Sequence, residues 1–67
     1  MTPQQIIEAA GAVYAGEQES PRGKLLLFRD ATTGTTLAMY VHAIRTVEDV
    51  QRHLENSRAG FFHKAEK

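Results

Sequence analysis

Three histidines invite a metal reading of this 67-residue chain, and His42 and His53, with Asp49, are the side chains whose placement comes nearest to it. His53 follows Asp49 by four residues, so on a helix both project from one side, and His42 is the third candidate ligand. Zinc sites take three or four protein ligands, and no motif here supplies the third. Asp49 and His53 also lie off the Val47, Val50 and Leu54 stripe, where a solvated flank is the simpler account. The expectation is no metal and no cofactor. His42, Tyr40 and Glu8 form the nearest thing to an acid–base set, because imidazole titrates close to neutrality. A strand histidine between Tyr40 and Ile44 is more often a packing or rim residue than a base. A chain of this length also has little volume for a pocket of ordinary ligand size. The Thr32-Thr33-Gly34-Thr35-Thr36 run lacks the lysine and glycine spacing of a phosphate loop. No nucleophile elbow, metalloprotease helix or dinucleotide fingerprint is present. No catalytic residue is assigned, and the chain is read as a non-enzyme.

Arg22, Lys24 and Arg29 flank one apolar run, and Arg45 and Arg52 lie at and after another. A two-stranded ribbon can enter a major groove, so these five define the alternative reading, a dimeric nucleic-acid-binding regulator. The balance of charge opposes it. Eight basic side chains match eight acidic ones, so no global field draws the chain to nucleic acid. The first twenty residues carry Glu8, Glu17 and Glu19 and nothing basic, a mild asymmetry that suits a solvated surface.

The elements that position these side chains centre on Lys24–Ile44. Lys24–Arg29 and Thr36–Ile44 are apolar runs separated by a turn rich in Asp, Thr and Gly, which is the signature of a β-hairpin. Asp30 suits the start of that turn, and Gly34 a position of positive φ. Thr2-Pro3-Gln4-Gln5 opens a helix with a capping box and a proline at its first position. The apolar arc of Pro3, Ile6, Ile7, Ala10, Val13 and Tyr14 extends that helix over residues 3–15, with Gly16 as its cap. Residues 16–23 then read as a polar loop. Thr46 caps a second helix over 47–57, with Glu48 and Asp49 at the positive end of its dipole, and a tail covers 60–67. The fold class is α+β, a small α-β-β-α domain in which two helices pack an antiparallel hairpin.

Both faces of that hairpin are apolar. Leu25 and Leu27 point one way and Leu26 and Phe28 the other, whereas a half-exposed antiparallel ribbon alternates apolar and polar residues. A second protomer that extends or covers the sheet accounts for the surplus, as does the need of small domains for added burial. Cysteine is absent, which fits a reducing compartment. The N-terminus has no basic start or apolar core of a signal peptide, and no run approaches the roughly 20 apolar residues of a membrane span. A cytoplasmic protein is expected. The functional expectation is a small interaction or regulatory module that binds another protein and itself. Leu26, Phe28, Tyr40, Phe61 and Phe62 are its candidate contact residues.

Overall fold

The computed structural model describes residues 1–60. It is α+β, with two α-helices and, among the described residues, a three-stranded antiparallel sheet. The chain runs α1 (Pro3–Ala9), β1 (Ala12–Ser20), β2 (Gly23–Asp30), β3 (Thr36–Tyr40), a 3-10 turn (Val41–Ala43) and α2 (Val47–Arg58). The strands form a meander in the order β1-β2-β3.

Helix α1 starts as the sequence predicts. The Gln5 amide donates to Thr2 Oγ1 at 3.2 Å, and the Thr2 amide donates to Gln5 Oε1 at 2.9 Å. It stops much earlier than residue 15. Gly11 adopts φ +94°, a region glycine enters without a Cβ penalty, and its amide closes on the Glu8 carbonyl at 3.1 Å. Gly11 therefore takes the terminating role assigned to Gly16. Residues 12–20, expected as the end of a helix and a loop, are instead a nine-residue strand. Val13 and Tyr14 fit a helical arc, yet both are also good strand formers. Eight residues paired with β2 outweigh a helix that would carry glycine in its interior, at a cost of about 1 kcal/mol.

Only Pro21 and Arg22 separate the paired Ser20 and Gly23. Ser20 Oγ fastens this turn, donating to the Gly23 carbonyl at 2.7 Å and accepting from the Arg22 amide at 3.3 Å. The β2–β3 turn follows expectation. Asp30 Oδ1 accepts from the Thr32 amide at 2.8 Å, and Gly34 has φ +79°. The last strand ends at Tyr40 rather than Ile44. Had it continued straight, Ile44 would share a face with Ala38 and Tyr40. The 3-10 turn breaks that alternation, and Ile44 reaches the core at 4% exposure.

Among the described residues, one face of the sheet is covered. Ile6, Ile7, Ala12, Leu26, Phe28, Ile44, Val50 and Leu54 form a single buried cluster, with Tyr14, Leu37 and Met39 packed against it. The register puts all of its strand members on one side, because Phe28 faces Tyr14 and Leu37 while Leu26 faces Met39. Both helices therefore lie over the same face. Thr46 caps α2 as expected, and Asp49, expected only as a charge at the helix dipole, completes a capping box, the Asp49 amide donating to Thr46 Oγ1 at 3.2 Å and the Thr46 amide to Asp49 Oδ2 at 3.0 Å. Arg52 pairs with Glu48 at 3.5 Å, one turn back.

Asp30 continues the inward series Leu26, Phe28 and is fully buried. It receives a two-point clamp from the last turn of α2: Arg58 Nε donates to Oδ2 at 2.7 Å and Arg58 Nη2 to Oδ1 at 2.9 Å. That guanidinium holds the Asp30 carboxyl well below the usual carboxylate range, against the opposing effect of burial. A lowered acid pKa stabilises the fold above the ordinary value of 3.8 and is lost as pH falls through the folded value. Arg58→Ala is expected to lower Tm by roughly 10 °C, because it leaves a buried carboxylate uncompensated, while Arg52→Ala lowers it by about 2 °C or less. With its partner gone, Asp30 prefers its neutral form, so the deficit of Arg58→Ala should shrink on acidification. Thermal unfolding by circular dichroism at several pH values checks both statements.

Candidate functional site

The face of the sheet turned away from the helices is built by the alternate residues of each strand. Across the strands its rows are Val13, Arg29 and Thr36; then Gly16, Leu27 and Ala38; then Gln18, Leu25 and Tyr40. Leu25, Leu27 and Tyr40 are half-buried by their neighbours in the sheet, Ala38 is exposed, and Val13 is 47% exposed.

A β-bulge decides the chemistry of this face. The register slips between Tyr14, opposite Phe28, and Gly16, opposite Leu27, so Ala15 is the extra residue. Bulges shift the alternation of the strand that follows. Without this one, Glu17 and Glu19 would stand on the open face. With it they oppose Leu26 and Lys24 on the helix side, where Glu17 pairs with Lys24 Nζ at 3.4 Å. Gly16, at φ +126°, supplies the backbone freedom the slip requires. In the rows just given, Arg29 is the single charged residue.

The expected contact residues separate accordingly. Leu26 and Phe28, at 5% and 0% exposure, are covered by the chain's own helices. Tyr40 lies on the open face and stacks on His42, ring centroids 5.4 Å apart. Phe61 and Phe62 lie outside the described residues. Leu25 and Leu27 are the residues that the period-2 pattern pairs with Tyr40. Alternation alone identifies the two sets but not which set the helices cover.

The five basic residues do not share a surface. Lys24 and Arg29 stand on opposite faces of β2, five residues apart, or roughly 17 Å along the strand. Arg22 sits in the β1–β2 turn, while Arg45 precedes α2. Lys24 and Arg52 each face a glutamate. Asp49 is engaged in the α2 cap. His53 meets the edge of Phe28 at 6.2 Å and hydrogen-bonds the backbone of Ala38 in edge strand β3. Among the described residues, no group of three or more metal-ligating side chains is present. Glu8 belongs to α1, across the sheet from Tyr40, and is bonded by Gln4 at 3.4 Å.

On the helix side, a cleft of about 440 Å³ opens between the start of α1 and the sheet. Leu26, Tyr14, Pro3 and Val41 give it an apolar lining, and the Glu17–Lys24 pair is at its rim. That pair is mutually engaged, and the Thr2 hydroxyl beside it serves the α1 cap.

No protein-family model matches the chain, and neither the curated proteins nor the solved structures contain a significant match. No helix of the described residues is long and apolar enough to cross a membrane.

Burial lowers the His53 pKa below its ordinary value of 6.5, with the Ala38 bond in partial opposition. The unfolded chain therefore binds the proton more readily. His53's contribution to stability is complete above pH 6.5 and falls as pH drops from there toward the folded value. Tm should decline measurably between about pH 6.5 and 5 in the native protein. His53→Gln, with no titrating ring, should flatten that segment of the profile while leaving the acid limb below pH 4 in place.

Proposed function

We propose that this chain is a small non-enzymatic interaction module whose binding surface is the open sheet face. The displacement of Glu17 and Glu19 by the β1 bulge carries this reading. A solvated antiparallel face is ordinarily polar, and this chain, with its carboxylates so close in sequence, instead turns them away. What remains is Leu25 and Leu27 bordered by Val13, Ala38 and Tyr40, an apolar surface with one cation. Aromatic and apolar side chains with a polar rim are the composition of protein-binding patches.

The strand edges suit this role less well. His53 occupies the backbone of Ala38 in β3, and the bulge disrupts the regular edge of β1, both of which hinder addition of a further strand. The nucleic-acid alternative needs a common basic surface, and the register divides Lys24 from Arg29. The absence of cysteine supports a reducing, cytoplasmic setting.

A photo-reactive amino acid at position 27, compared with one at exposed Gln51 on α2, tests the surface directly. Irradiation in an extract of the source cells is expected to give discrete protein adducts from position 27, to a second copy or to another protein, and none specific to position 51. Equal or absent labelling at the two positions would remove the open face as the binding surface.

A further inference from the structure

We propose that the occupant of the open face is a second copy of this chain, packed sheet on sheet about a twofold axis perpendicular to the strands. The inference rests on the reading just given and names the partner. Its basis is the size pattern of the face. Rotation about such an axis, lying in the interface and centred between Leu25 and Leu27, sets each strand against its own counterpart running the other way. Leu27 then meets Leu25 of the second copy, Tyr40 meets Ala38, Gln18 meets Gly16, and Arg29 meets Gly23. At each of the last three positions a large side chain stands opposite a small residue.

The alternative twofold, parallel to the strands, fails on the same register. It places Arg29 against Arg29, with like charges desolvated together. It also sets Gly16 against Ala38, which leaves a gap beside two stacked leucines. Only the perpendicular axis gives Arg29 an open landing site, and that site is furnished: a Cβ at Gly23 would lie 4.0 Å from the Tyr40 ring. An arginine there is within reach of an aromatic face, a cation–π arrangement.

Two further observations favour self-association. The net charge of zero imposes no long-range repulsion between identical molecules. The face is one layer of a two-layer fold, and two such sheets pack about 10 Å apart to form a sandwich. Its footprint, three strands about 4.8 Å apart and some six residues long, is roughly 14 by 20 Å. Two such footprints amount to about 560 Å², below the roughly 1,000 Å² at which stable specific interfaces begin, which places the pairing among weak, transient contacts. A dimer of this size is modest in affinity, in reversible exchange over the micromolar range.

Sedimentation equilibrium of the full 67-residue chain from about 5 to 500 μM is the test. The mass should rise with concentration from 7.5 kDa toward twice that value. Leu27→Lys should hold the protein at the monomer mass. Ala38 is exposed, so Ala38→Tyr leaves the fold intact by circular dichroism while weakening dimerisation at least tenfold. The swap Ala38→Tyr with Tyr40→Ala restores the large–small pairing and should recover most of the loss. A native chain that stays monomeric throughout overturns the proposal, as does a dimer indifferent to Leu27→Lys and Ala38→Tyr, or a swap that fails to rescue. A monomer that still gives position-27 adducts to a different protein would overturn self-pairing alone and leave the interaction surface standing.

Discussion

A carboxylate placed where the sheet alternation demands an inward residue fixes how this fold closes. Asp30 is wholly buried, and a buried charge is tolerable only when it is paired and hydrogen-bonded. Arg58, twenty-eight residues later, meets that demand from the last turn of α2 with two bonds. The same guanidinium also complements the negative end of its own helix. The other end of α2 is fixed by Thr46 and Asp49, whose cap also collects the Arg45 amide. A helix pinned at both ends has one way to lie across β2. Val50 and Leu54 then fall over Phe28, and the face beneath α2 is the face that α1 must share.

Placing both helices on one side has a consequence on the other. Three strands with helices on both faces would form a closed three-layer unit. Among the described residues the second helical layer is missing, while Leu25, Leu27 and Val13 on that side stay apolar. The β1 bulge resolves a conflict in that arrangement. Its eight-residue neighbour β2 sets a strict alternation, and an unbroken β1 would project Glu17 and Glu19 onto the open face. One extra residue at Ala15, with Gly16 beside it, moves both carboxylates to the helix side, where Lys24 receives one of them. The Glu17–Lys24 pair is about half exposed, so its own contribution to stability is small. Its importance is where it is not.

Local chemistry in the sequence was a reliable guide where structure is decided locally. The α1 capping box, the Thr46 cap, the hairpin turn with Asp30 and Gly34, and the bounds of α2 to within a residue follow from neighbours in the chain. β1 was hidden because Val13 and Tyr14 satisfy the helical period and the strand period equally, and Gly11 and Gly16 each serve as a plausible helix stop. What separates them is pairing with β2, which short windows do not contain. The Asp30–Arg58 bond is non-local in the same way, although an Asp continuing the Leu26, Phe28 series was a visible sign that an inward charge needed a distant cation. The candidate surface was half legible: the two-residue period divided Leu25 and Leu27 from Leu26 and Phe28, but which pair the helices cover depends on where Arg58 holds α2.

Small size sharpens what the open face means. A chain of 67 residues buries only about 60% of its unfolded surface, so apolar area left uncovered is a larger share of what it has to offer than in a bigger domain. The usual supplement for small folds, a disulfide, is excluded by composition. Surface charge would be the simplest way to make the open face inert, and Glu17 and Glu19 lie within reach of it in sequence. The chain uses a bulge, a local break in its own hydrogen-bonded ladder, to keep them off. A fold that gives up regular pairing to preserve an apolar face is organised around contact at that face.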